Sequence, residues 1–163
     1  MTDAISDANI IKVDFRRGTL IQYGALCWRP VKKTFEVLVI TSLDTGRWII
    51  PKGWPMLDRT PQGTAQQEAW EEAGIRGGVE KIPLGTYEYL KRISSGEDVQ
   101  VETHVFALCV KEMSVASFPE KGRRKRKWMS RDRAADLVNE PGLKSILREF
   151  SPCGYSRNTC RAT

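Results

Sequence analysis

The chain has 163 residues and a formal net charge of +6, from 26 Lys and Arg against 20 Asp and Glu, with a pI near 9.3. That length suits one domain with a single sizeable core, and no apolar run approaches the roughly 18 to 20 residues of a membrane span, so a membrane protein is not expected. The positive excess favours acidic partners, either nucleic acid or a small ligand dense in phosphate.

The N-terminus, MTDAISDANI, lacks a basic region followed by an apolar one, which makes a cytoplasmic location the default expectation. Residues 1–17 are expected to form a flexible segment, 18–150 the folded domain and 151–163 a tail. Leu20 to Trp28 is strand-like and carries the small Gly24-Ala25 pair, where another backbone or a ligand can approach. Phe35 to Thr41, FEVLVIT, has almost no polar break, which suggests a strand buried on both faces. Asp44-Thr45-Gly46 supplies a turn, and Arg47 to Ile50 returns as a third strand.

Gly53 to Ile75 is the most informative stretch. Thr60 can cap a helix, Pro61 fits its first turn and Gly74 can end it in the left-handed conformation. Ala65, Ala69 and Ala73 then form a stripe able to lie close on a sheet, with Glu68, Glu71 and Glu72 at its rim. At i, i+3 and i+4 these carboxylates are neighbours that repel by a few tenths of a kcal/mol per pair, unless a cation sits between them. A divalent ion such as Mg²⁺ suits oxygen ligands, keeps several waters and bridges one or two carboxylates to substrate phosphates. The alternative for such acids is a plain solvated face.

Beyond the helix, Arg76-Gly77-Gly78 reads as a release of the chain into a strand from Leu84 to Leu90. Ser94 to Glu97 reads as a hairpin loop, and Val99 to Val110 as a long strand pairing back. The lone His104 within it is expected to be a hydrogen-bonded structural residue. Lys121 to Lys127, KGRRKRK, reads as a basic loop, followed by the apolar Trp128-Met129. Ser130 can cap a brief helix through Val138, and Pro141 opens an amphipathic helix through Phe150. Cys27, Cys109, Cys153 and Cys160 include no CxxC, which argues against zinc. Free thiols are expected, with a Cys153–Cys160 bridge left open. Strands gathered around helices imply a layered α/β arrangement.

Gly53, Glu68, Ala69, Glu71, Glu72, Gly74 and Ile75 fall, at the right spacing, on the signature of the Nudix hydrolases, which this sequence resembles over about residues 18 to 150. Two positions depart from it: Arg59 stands where the signature has its first Glu, with Asp58 one residue early. Gln67 stands where it has an Arg that orients the neighbouring carboxylates. The resemblance implies the Nudix fold, a mixed β-sheet sandwiched between α-helices. It also implies a Mg²⁺- or Mn²⁺-dependent attack of water on a pyrophosphate, with Glu68, Glu71 and Glu72 as metal ligands and catalytic acids and the Lys52 carbonyl completing the site. A further catalytic acid is often recruited from a loop after the long strand. Glu120 is the first choice there, with Glu97 and Glu102 as alternatives.

Trp48 to Gly53 and the run from Gly122 to Trp128 resemble most the diphosphoinositol and diadenosine polyphosphate hydrolases. Arginine holds phosphate in a fixed bidentate geometry, so Lys52, Arg59, Arg123, Arg124 and Arg126 are candidate substrate-binding residues. The expected partner is a small phosphate-rich substrate rather than nucleic acid or a membrane, with the chain a monomer or homodimer. Two other readings stay open. Arg59 and Gln67 motivate a Nudix-fold binding module with little turnover, and the basic loop could be a nucleic-acid surface, although only Trp128 is there to stack on bases.

Overall fold

The computed structural model describes residues 13–14 and 18–152. The expected flexible segment and tail therefore lie outside the described residues, apart from Val13, Asp14, Ser151 and Pro152. In the described chain β1 (Val13–Asp14), β2 (Thr19–Val31), β3 (Thr34–Thr41), β4 (Trp48–Ile49) and β5 (Lys52–Gly53) lead to α1 (Pro61–Ala73). Then follow β6 (Ile75–Val79), β7 (Gly85–Arg92), β8 (Asp98–Met113), β9 (Arg126–Met129), α2 (Arg131–Leu137) and α3 (Pro141–Glu149).

One mixed sheet holds all nine strands. Its spine runs β4-β3-β2-β8-β6, with β2 and β8 parallel from Leu20↔Val101 to Trp28↔Cys109 and the remaining pairs antiparallel. The near-continuous apolar strands have their reason in period-two alternation between two cores. Leu26, Trp28, Val37, Val39, Val105 and Ala107 point to one face, where they meet Ala134, Leu143, Leu147 and Phe150 of the α2–α3 region. Ala25, Cys27, Leu38, Ile40, Phe106 and Leu108 point to the other, against the fully buried stripe of Ala65, Ala69 and Ala73 on α1. The sheet is thus sandwiched between helices, as the sequence led us to expect.

The caps of α1 also form as expected: Gly63 N–H donates to Thr60 Oγ1 at 3.1 Å, and Gly74 takes φ 68°. Three expectations need correction. The glycines after α1 do not release the chain; they lie in β6, paired with β8, because a Cβ at Gly77 would fall 2.0 Å from the Cys109 carbonyl oxygen. The basic run is only partly a loop, since Arg126 and Lys127 belong to β9, opposite Ile40 and Val39. Met129 at its end is buried in the core, and that anchors the strand. Cys109 is disulfide-bonded rather than a free thiol, whereas Cys27 is free and buried. Cys153 and Cys160 lie outside the described residues. Among those residues no helix is long and apolar enough to cross a membrane.

Candidate active site

The alanine stripe seats α1 on the sheet and so turns its acidic edge toward β5, whose Lys52 and Gly53 pair with Gly24 and Tyr23 of β2. Glu68 folds over Gly53 so closely that a Cβ there would meet its Oε1 at 2.1 Å. A side chain at position 53 would therefore displace the Glu68 carboxylate from this position. Glu72 is 4% exposed, and its Oε1 accepts the Lys52 N–H at 3.0 Å while its Oε2 faces Arg124 Nη2 at 2.9 Å. Glu71 accepts from Gln67 Nε2 at 3.1 Å, and the Glu71 carbonyl accepts the Glu120 N–H at 2.9 Å. That bond ties the loop after β8 to the helix and carries Glu120 to the same wall.

All four carboxylates line one cleft of about 370 Å³. Burial, then the charges of Glu72, Glu71 and Glu120, push the Glu68 carboxyl up to about 9. Burial also raises Glu72, to about 7, against the lowering pull of Arg124 and Lys52. Packing acids so that they resist ionising is costly unless a cation joins them. Among the described residues no three acidic, histidine or cysteine side chains stand close enough to hold a metal by themselves. The donor set nonetheless fits an ion such as Mg²⁺, which takes one or two carboxylates and leaves its other positions to water and phosphate.

The same cleft is also lined by basic residues, with Asp44 among them. Arg47, from the turn before β4, and Lys91 and Arg92, from the end of β7, line it together with Lys52 and Tyr89. Lys52 Nζ lies 5.0 Å from the Tyr89 ring centroid and the Arg47 guanidinium 5.8 Å from it, so one aromatic ring has both cations near it. Glu140, buried before α3, holds Arg47 from behind at 3.5 Å.

The candidate residues therefore separate. Glu68, Glu71, Glu72, Glu120, Lys52 and Arg124 meet in the cleft. Arg59 is exposed, and neither it nor Asp58 is part of the lining. Arg123 stands 3.8 Å from Glu120 Oε1 with a side chain about two-fifths exposed. Arg126 points away, donating from Nη1 to the carbonyls of Ala73 and Ser114 at 2.8 and 2.9 Å and covering the Phe118 ring. Glu97 and Glu102 are not in the lining either, and Glu102 pairs instead with His104 at 2.8 Å. The lone histidine thus has a partner two residues away on its own strand. Sequence reasoning missed Arg47, Tyr89, Lys91 and Arg92. Its available signals were a basic residue just before the strand leading to Pro51-Lys52-Gly53, and a basic pair where β7 meets its hairpin.

The chain matches the NUDIX domain family over residues 22–150. Among curated proteins it is 33% identical over 118 residues to Nudix hydrolase 12, mitochondrial, of Arabidopsis thaliana, covering 71% of this chain and 58% of that protein. It is also 33% identical over 90 residues to diphosphoinositol polyphosphate phosphohydrolase 3-alpha of Mus musculus, covering 55% of this chain and 51% of that protein. The chain thus spans only a little over half the length of these relatives. Among solved structures, the C. elegans Ap4A hydrolase superposes with a TM-score of 0.59 at 18% identity, covering 81% of this chain and 96% of that one. The E. coli dihydroneopterin triphosphate pyrophosphohydrolase superposes with a TM-score of 0.62 at 18% identity, over 80% and 93%. With the family matched across both cores and the acidic edge of α1, the chain belongs to the Nudix family.

Proposed function

We propose that this protein is a divalent-metal-dependent pyrophosphohydrolase of polyphosphorylated small molecules, either diphosphoinositol polyphosphates or dinucleoside polyphosphates. The observation that carries the reading is that one cleft gathers Glu68, Glu71, Glu72 and Glu120 together with Arg47, Lys52, Lys91 and Arg92. Phosphoryl transfer needs charge neutralised and a water aligned, with little covalent work left for the protein. Mg²⁺ or Mn²⁺, when bound, supplies positive charge at the phosphate and makes a water easier to deprotonate. Glu68 and Glu72, with the Lys52 carbonyl, would hold it. Glu71 and Glu120 face the same space and accept hydrogen bonds or a proton from a water there. Lys52, Arg47, Lys91 and Arg92 bind the phosphates remote from the cleaved bond.

The reading of a binding module without turnover rested on Arg59 and Gln67. Gln67 keeps a hydrogen bond to Glu71, so that acid is still oriented from within the helix, which favours the enzyme. The expected cytoplasmic placement competes with an organellar one, because the matching Arabidopsis proteins are named as mitochondrial; the cleft chemistry suits either. The test is product formation, resolved by chromatography, from a panel of diphosphoinositols, dinucleoside polyphosphates, nucleotide sugars and nucleoside triphosphates. Turnover of at least one, stopped by chelator and lost in Glu72→Gln, is expected. A panel left intact with Mg²⁺ and with Mn²⁺ sinks the reading.

A further inference from the structure

We propose that Arg124 is a positioning residue that takes over, from the segment just before β9, the orienting task of the arginine this chain lacks at Gln67. Its Nη2 lies between Glu72 Oε2 at 2.9 Å and Glu120 Oε1 at 3.3 Å, while Nη1 donates to the Thr41 carbonyl at 3.1 Å. One planar guanidinium thus joins three segments that are far apart in sequence: the acidic edge of α1, the loop after β8 and the end of β3.

The side chain is 5% exposed, and among the described residues its buried Nε has no partner. A group wrapped so closely, with two fork nitrogens committed to protein oxygens, has little left for a phosphate from solvent. Its backbone is also fixed, because the Lys125 N–H donates to Thr41 Oγ1 at 2.9 Å and the Thr41 N–H to the Lys125 carbonyl at 3.1 Å. Among the described residues the Gln67 side chain hydrogen-bonds to Glu71 alone. Glu72, the most buried acid of the set, is therefore oriented by the Lys52 N–H and Arg124. Lysine could not do this work, since a single ammonium lacks the flat fork that meets two carboxylates and a carbonyl in one plane.

The consequence is that Arg124 fixes the span between Glu72 and Glu120 and acts on the reaction through them, without touching substrate. Only the kinetic half of the test rests on the pyrophosphohydrolase reading. Mn²⁺ affinity is measured without substrate, from the spin-resonance signal of the free ion, for wild type, Arg124→Lys, Arg124→Gln and each combined with Gln67→Arg. Orienting partners of metal ligands typically contribute about 10- to 100-fold, so Arg124→Lys is expected to weaken Mn²⁺ about tenfold or more. It should lower kcat by a similar factor and leave KM within about threefold. Gln67→Arg should restore a good part of both losses and change little by itself.

Mn²⁺ bound equally or more tightly by folded Arg124→Lys would show Arg124 to be a spectator or a competing cation, and would overturn the proposal. A rise in KM at unchanged kcat would make it a phosphate ligand, with the same result. Should Arg124→Gln fail to fold, the charge-preserving lysine variant decides. If no substrate is turned over at all, the metal affinities still give the answer, so failure of the proposed function and failure of this inference remain distinct.

Discussion

Two charged segments dominate this chain, the acidic edge from Glu68 to Glu72 and the basic run from Lys121 to Lys127, and they fold by different logics. The acids stay together because a helix fixes their angles, so all three line one wall. The basic residues scatter. Lys121 donates to the Ala116 carbonyl, Arg123 stands beside Glu120, Arg124 is buried between two carboxylates, and Arg126 reaches behind α1 to the Ala73 carbonyl. Their charge is alike, but the backbone passes from a turn into β9 within a few residues and sends neighbours in opposite directions. Like charges in sequence become one site only where the local backbone holds them on one side.

The sharpest contrast comes from the acidic segment. Glu68→Gln keeps the shape that closes over Gly53 but removes the charge that the proposed function assigns to holding the cation, and kcat should fall by about 10²–10³-fold, as for other lost electrostatic contacts at a reacting centre. Chromatography of the products at stopped times measures it. A loss under about tenfold would mean that the acids do not act as a unit.

Within the basic run, Arg126→Gln should cost stability rather than chemistry. It removes two charged hydrogen bonds, one of them to the Ala73 carbonyl at the C-terminal end of α1. About 2 kcal/mol is the expected loss, read from urea unfolding, with kcat per folded molecule unchanged. Were it instead to raise KM, the run would have to be regarded as one phosphate-binding surface after all.

The rim that does face the cleft should show smaller effects. Replacing Lys91 and Arg92 together with Ala is expected to raise KM by roughly tenfold, with kcat little altered, because exposed charges bind ground state and transition state alike. That difference should shrink in high salt. Equal losses in kcat and kcat/KM would place these residues nearer the reacting phosphate than the structure does.

How much of this was legible follows the same division. Thr60, Pro61 and Gly74 mark the ends of α1, and its 100° repeat places the acids, because all of that is local. The two-sided burial of β3 could be read from FEVLVIT for the same reason. β6 could not, since Gly77 and Gly78 look like a break until the Cys109 carbonyl is known to pass where a side chain would sit. Arg47 and Lys91 are far apart in sequence and share a cleft only through the sheet order that sets β7 on β8, β8 on β2, β2 on β3 and β3 on β4. Arg124 was legible as a basic residue of the site region, but its task depends on Glu72, Glu120 and Thr41 all arriving at one place.

The metal-free protein offers a last test of whether the acidic wall was built for a cation. Glu68 holds its proton up to about 9 and Glu72 up to about 7, both above the ordinary carboxyl value of 4.5, because they are buried among other acids. Between the ordinary value and these raised ones the native state binds more protons than the unfolded chain. The slope of unfolding free energy with pH is therefore negative there. With chelator present, Tm should be highest near pH 5 and decline by several degrees toward pH 9, as the native carboxyls are forced to ionise against one another. A divalent cation at saturating concentration replaces those protons, so the decline should flatten, and the gain in Tm on adding Mg²⁺ should be larger at high pH than at low. Glu68→Gln, which has no proton to lose, should be flatter than wild type even with chelator. A metal-free Tm that rises steadily across this range would mean that the acids ionise freely into solvent, and the likeness between the acidic wall and an ion site would be one of sequence alone.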